Sequence, residues 1–184
     1  IISGIYKGKK ILEPKDIKTR PLKDLTKESI FNIISHSSKF SIYLEDSNIL
    51  DLFSGVGSFG LECLSRGAKK VIFVENYIGV LPILKRNLKN LKRINNFEIL
   101  EKNIYSENIF SNLKNKIDII FMDPPYKDKN INNIFESINE SKVLKKNGLI
   151  ILHRHKNERD IFPEIFKVVE EKKYGLSKII FIKC

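Results

Sequence analysis

The stretch Ile49-Leu50-Asp51-Leu52-Phe53-Ser54-Gly55-Val56-Gly57-Ser58-Phe59-Gly60 decides the fold of this chain. Its first five residues are an apolar run broken by one carboxylate, the pattern of a strand buried on both faces. Three glycines follow in the spacing G-x-G-x-x-G, and Phe59 to Leu64 opens a helix. A strand, a glycine turn and a helix in that order let backbone approach a bound ligand with no Cβ in the way. The next apolar run, Val71 to Val74, ends at Glu75, a carboxylate placed to accept hydrogen bonds from ribose hydroxyls. This much predicts an adenosine-containing cofactor and leaves its kind open.

Outward from that turn the chain alternates. Strands are expected near 48–53, 71–75, 97–101, 117–122 and 148–152, with helices near 59–66, 78–92, 106–113 and 131–144. Alternating strands and helices imply an α/β, Rossmann-like fold with a mostly parallel sheet covered on both faces. Residues 164–171 and 177–183 read as two further strands. Tyr174-Gly175 between them marks a hairpin, hence an antiparallel edge. Before the turn, residues 1–47 form a lead-in distinct from the main domain at 48–184. A short basic strand pair is expected at Ile5 to Leu12, and an extended loop at Glu13 to Leu22 with Pro14 and Pro21. A helix to about Ser37 follows, capped by Asp24 or Thr26, with Leu25, Ile30, Phe31, Ile33 and Ile34 as its apolar stripe.

Bulk properties narrow the class. A chain of 184 residues has room for one domain with a real core. No apolar run approaches the ~18–20 residues of a membrane span, so no membrane partner is expected. Cys63 and Cys184 form no metal or redox spacing, and Cys63 reads as a small core residue in a reducing compartment. The N-terminus lacks a signal-peptide core, and a cytoplasmic location is expected. A formal net charge of +11 points to a polyanionic partner. The crowding of Lys, Ile and Asn, as in an AT-rich coding sequence, accounts for part of that excess.

In an open parallel sheet the ligand sits beyond the carboxyl ends of the strands. Four groups fall at such ends: Ser54 to Gly57, Glu75, Asn103, and Asp123-Pro124-Pro125-Tyr126. Asp51 is the informative oddity, because a carboxylate in a buried strand needs a partner. A cationic amino group on the ligand supplies one, whereas a pyrophosphate is repelled. After the apolar strand Ile117 to Met122, two prolines stiffen the loop and remove two backbone donors. What remains is rich in acceptors, the Asp123 carboxylate and the Pro124 carbonyl, which suits an exocyclic amino group. Tyr126 offers a face on which a planar base can stack.

These residues carry a resemblance. Asp51-Leu52-Phe53-Ser54-Gly55-x-Gly57, Glu75 and D-P-P-Y resemble the S-adenosylmethionine-dependent amino methyltransferases of nucleic-acid bases. Arg20-Pro21, Asp24, Glu28 and Phe31-Asn32, the run from Asp51 through Ala68, and Gly175-x-Ser177-x-Ile179 are similar to the bacterial 16S rRNA guanine-N2 methyltransferases of the RsmD family. The resemblance implies a seven-stranded methyltransferase fold and S-adenosyl-L-methionine as cofactor. It places Asp51, Phe53, Ser54, Gly55, Gly57 and Gly60 at the methionine end, Glu75 with Asn76 at the ribose, and Asn103 with Ile104 at the adenine. It implies that Asp123, Pro124, Pro125 and Tyr126 carry transfer to the N2 amine of a guanine, with no metal. The partner is then small-subunit rRNA or a 30S-type ribosomal particle, met by a monomer, with Lys7, Lys9, Lys10 and Arg20 on phosphates.

Three positions depart from that pattern. Asn103 stands where an Asp is usual, Leu22-Lys23 where two threonines are usual, and His153-Arg154-His155 where the family tends to be acidic. Asn103 still offers a carbonyl acceptor. Rival readings stay open on the residues alone. A nicotinamide or flavin oxidoreductase shares G-x-G-x-x-G, although Asp51 and D-P-P-Y argue against it. D-P-P-Y is shared with adenine-N6 and cytosine-N4 enzymes, and an inactive RNA-binding assembly factor is the non-enzyme alternative.

Overall fold

The computed structural model describes residues 1–14, 22–92, 94–105, 109–111, 113, 116–125 and 128–184. Its strands are β1 (Asn48–Leu52), β2 (Lys70–Val74), β3 (Phe97–Leu100), β4 (Ile117–Met122), β5 (Leu144–His155), β6 (Lys167–Tyr174) and β7 (Ser177–Lys183). The helices are α1 (Asp24–His36), α2 (Ser58–Ser65), α3 (Leu81–Asn90) and α4 (Ile131–Ser141). The strands form one sheet in the order β3-β2-β1-β4-β5-β7-β6. Strands β1 to β5 pair in parallel, and β7 lies antiparallel between β5 and β6. Chain order reverses at β1, where the next strand in sequence lies on one side and β4 on the other. This is the switch point, at which two loops part and leave a crevice.

Side-chain alternation along the strands builds two apolar layers. Ile49, Phe73, Phe121, Ile151 and Phe181 face one layer, filled by α1, α2 and α3. Leu50, Leu52, Ile72, Ile120, Met122 and Ile150 face the other, filled by α4. Phe59 of α2 stacks on Phe121 of β4 at 4.1 Å between ring centroids and on Phe31 of α1 at 5.2 Å. The N-terminal helix is therefore packed on the same core as the sheet. Buried Glu62 of α2 fastens the chain start by accepting from the amides of Ile2 and Ser3 at 2.8 and 2.9 Å.

The structure corrects several local expectations. Residues 5–8 form turns and 9–12 are irregular, with no strand pair. Gly4 and Gly8 both take positive φ, and the Gly8 amide donates to the Ile1 carbonyl, so the segment folds back on itself instead of extending. Helix α1 begins at Asp24 after Lys23, and no side chain caps it. Asp24 instead pairs with buried Lys27 at 3.1 Å, and Thr26 is buried. Helix α3 starts at Leu81, three residues later than expected, with Pro82 in its first turn.

No helix forms among the described residues of 106–113. Ile109 and Phe110 are buried in the second layer from a turn, too short an apolar stripe to hold a helix. Helix α4 stops at Ser141 because Lys142 turns left-handed with φ 50°. Strand β5 then starts at Leu144, earlier than expected. It absorbs a bulge, since Ile117 pairs with Leu144 but Ile119 pairs with Leu149. Strand β6 starts at Lys167, after the turn in which the Phe166 amide donates to the Pro163 carbonyl.

Candidate active site

The glycine turn is held from both sides. After β1 the chain enters left-handed backbone at Phe53, Gly55 and Gly57, with φ of 60°, 54° and 85°. Ser54 pins the bend. Its amide donates to the Val74 carbonyl at 3.1 Å and its hydroxyl to the Asp51 carbonyl at 2.6 Å. Gly57 precedes the first turn of α2, and the Gly60 amide donates to Asp51 Oδ2 at 3.0 Å. A Cβ at Gly60 would lie 2.3 Å from the Phe73 ring and 2.9 Å from Asp51 Oδ2, and one at Gly57 would lie 2.6 Å from Leu84. Gly60 serves the closeness of α2 to the sheet and Gly57 that of the turn to α3, and neither lines the cavity.

A cavity of about 1210 Å³ opens over the carboxyl ends of the strands. It gathers Asp51, Phe53, Ser54 and Gly55 from the first turn, Glu75 and Asn76 after β2, Asn103 and Ile104 after β3, and Asp123, Pro124 and Pro125 after β4. Eleven positions singled out in the sequence thus share one space. Lys9 and Lys10 line a separate, smaller cavity on the other side of Val56 and Ser58, with Lys9 Nζ donating to the Asn90 carbonyl. Lys7 is exposed and lines neither cavity. Arg20 and Tyr126 lie outside the described residues.

Asp51 is buried at 1% exposure. Burial pushes its carboxyl well above the usual range; the Gly60 amide pulls the other way, and nearby Asp123 and Glu75 add to the rise. An acid in that state gains from a cation brought to it. Glu75 is committed to backbone. Its Oε2 accepts from the Gly55 amide at 2.8 Å, and its Oε1 from the amides of Asn76 and Tyr77 at 2.9 and 2.8 Å. A carboxylate has about four lone-pair sites, so one acceptor site remains for a hydroxyl. The Asn103 carbonyl oxygen accepts from the Tyr105 amide at 2.9 Å and shapes the loop that carries it.

Asp123 stands at the mouth of β4 with its side chain 23% exposed. Its Oδ1 lies 2.7 Å from Nδ1 of His153, a residue of β5 that is itself buried. The loop beyond is braced from β5. Arg154, 1% exposed, grips Asp160 with two nitrogens at 3.1 and 3.0 Å and donates to the Asp128 carbonyl at 2.8 Å. Asp128 also holds the Tyr105 hydroxyl, whose pKa is raised by burial first and then by that bond. Lys23, Lys102, Lys173 and His155 also line the cavity.

Sequence reasoning did not assign roles to His153, Arg154 or these three lysines. The signals were the polar residues closing the apolar run Leu149 to Leu152 and the departures from the family pattern at His153-Arg154-His155 and Leu22-Lys23.

The fold is that of the S-adenosylmethionine-dependent methyltransferases. A solved Escherichia coli structure, described as that of a methyltransferase, is similar over 99% of this chain and 95% of its own, with a TM-score of 0.83 at 25% identity. Residues 1–183 match the family described as conserved hypothetical protein 95, the RsmD family, and the chain belongs to it. It is 33% identical over 179 residues to the ribosomal RNA small subunit methyltransferase D of Haemophilus influenzae, covering 96% of this chain and 89% of the relative. A Bacillus subtilis protein named as an rRNA methyltransferase is 32% identical over 187 residues, covering 100% of this chain and 97% of its own.

The donor set fits the cofactor of that class. The buried, proton-favouring Asp51 suits an ammonium, Glu75 keeps an acceptor site for a ribose hydroxyl, and Ile104 with Phe53 gives apolar walls.

Proposed function

We propose that this protein transfers a methyl group from S-adenosylmethionine to the exocyclic N2 amine of a guanine in small-subunit rRNA. The observation that carries the reading is that one cavity gathers Asp51 and Glu75 with Asp123 and Pro124. The names of the relatives in Haemophilus influenzae and Bacillus subtilis support rRNA as the substrate, and the net charge of +11 suits a polyanion.

Asp51 and the turn Phe53 to Gly55 hold the amino-acid end of the cofactor, Glu75 and Asn76 its ribose, and Asn103 and Ile104 its base. When bound, the cofactor supplies an electrophilic methyl on a sulfonium. The chain's own task is alignment. Asp123 and the Pro124 carbonyl accept hydrogen bonds from the target amine, draw its nitrogen out of conjugation and aim its lone pair. The Asp123 carboxylate then stabilises the positive charge that grows on nitrogen. Pro125 stiffens the loop, and Tyr126 is the stacking platform for a base turned out of its helix. Lys7, Lys10 and Arg20 in the lead-in of residues 1–47 contact phosphates, as does Lys9 where its bond to Asn90 allows.

The test is transfer from labelled S-adenosylmethionine by wild type and Asp123→Ala. The substrates are unmethylated small-subunit particles, naked rRNA and duplex DNA, followed by nucleoside analysis. N2-methylguanosine from wild type alone is the expected result. N6-methyladenine in DNA would move the protein to another base, and cofactor binding without transfer to any substrate would favour an assembly role.

A further inference from the structure

Two neighbouring strands bring an imidazole against the carboxylate at the centre of the proposed reaction. In the parallel pairing of β4 with β5, Met122 lies opposite Leu152, so the next residues, Asp123 and His153, emerge side by side. Nδ1 of His153 is 2.7 Å from Oδ1 of Asp123. The imidazole is packed in the wall, 8% exposed, and the carboxylate is open to the cavity at 23%. For the carboxylate to accept this bond, Nδ1 must carry the hydrogen and donate it.

That bond has a geometric consequence. A carboxylate on a short side chain turns easily about its last torsion, and either oxygen can then face the cavity. A donor fixed in the sheet beside Oδ1 stops that rotation and leaves Oδ2 as the oxygen toward the substrate. A charge-assisted bond of this kind is about twice as strong as a neutral one, and β5 holds the imidazole rigidly because Arg154 next to it is anchored to Asp160.

We propose that His153 is a positioning residue that orders Asp123, fixing which carboxylate oxygen is presented to the target amine. This rests on the amino-methyltransferase reading, although the ordering of Asp123 can be observed without any turnover. His153 also lines the cavity beside Asp123. It acts through Asp123, and its effect belongs in kcat, because alignment is needed most in the transition state.

The experiment has two arms. In the first, long-range proton–nitrogen spectra of histidine-labelled protein report the tautomer. The chain has three histidines, and His153→Asn identifies the signal of interest by its loss. The expected result is an Nδ1–H imidazole in wild type that shifts toward the Nε2–H form in Asp123→Ala. A tautomer that is the same in both proteins overturns the proposal.

In the second arm, His153→Leu removes the donor in similar volume and His153→Asn puts an amide N–H in the place of Nδ1. The Leu variant should lose about tenfold or more in kcat, with cofactor affinity within about twofold of wild type. The Asn variant should recover most of the loss. Wild-type kcat in the Leu variant, or an Asn variant as slow as Leu, overturns it. A wild type that methylates no RNA sinks the functional reading, and the tautomer arm then decides the ordering of Asp123 by itself.

Discussion

Asp51 in β1 reaches across the glycine turn and accepts the Gly60 amide of α2 at 3.0 Å on Oδ2. The carboxylate thereby ties helix to strand while it sits almost wholly out of water. One neutral amide bond does not offset the desolvation of a charge, and its carboxyl pKa is raised, by burial first.

Replacing Asp51 by Asn keeps an acceptor for Gly60 and removes the charge. For an acid whose folded pKa is raised, the folded state holds the proton more tightly. Stability is then highest below the unfolded pKa and falls as pH rises toward the folded one. Urea unfolding of ligand-free protein should show Asp51→Asn equal to wild type near pH 4 and measurably more stable at pH 7. Cofactor titration should show weaker binding. A variant less stable than wild type at pH 7 would contradict the strained carboxylate.

Gly60→Ala tests the packing reason for the third glycine. The added methyl meets the Phe73 ring at 2.3 Å, and Phe73 is buried in the sheet with little room to turn. Overpacking of this kind costs about 1–3 kcal/mol. Thermal unfolding should show the loss without any ligand present, which separates it from a cofactor contact.

Glu75→Ala leaves the amides of Gly55, Asn76 and Tyr77 without their acceptor. Hydrogen exchange at these three amides should speed up while the strand amides of β1 and β2 stay protected. The stability loss should be about 1–3 kcal/mol. Uniform acceleration across the sheet would mean that the loop and sheet open together.

Arg154→Met removes the two-nitrogen grip on Asp160 and the brace on the Asp128 carbonyl. Asp160, with its side chain 10% exposed, is then a nearly buried charge lacking this guanidinium. Losing one partner of such a pair costs about 3–5 kcal/mol. Denaturant unfolding measures it, and Asp160→Asn should cost less because the guanidinium keeps its other contacts.

The strands β1, β2, β3 and β4, the hairpin at Tyr174 to Ser177 and eleven cavity residues were legible in the chain because each depends on local pattern. An apolar run, a glycine spacing or a pair of prolines fixes its own backbone, and the parallel rule sends the strand ends to one side. The N-terminal turns and the start of β5 are not legible in local pattern, nor is the irregular backbone at 109–111 and 113, the described residues of the helix expected near 106–113. There, turns at Gly4 and Gly8, burial of Ile109 and Phe110, and a bulge against β4 outweigh local propensity.

What the sequence determined by itself is the class of fold, the polar ends of its strands and the family. Only the tertiary structure decided that His153 meets Asp123, that Arg154 braces Asp128, that Gly60 serves packing, and that Lys9 and Lys10 lie on a different cavity from Asp123. The physical reason is range. Propensity and spacing act within a few residues, whereas these contacts join residues brought together by sheet register and by helix packing on the core.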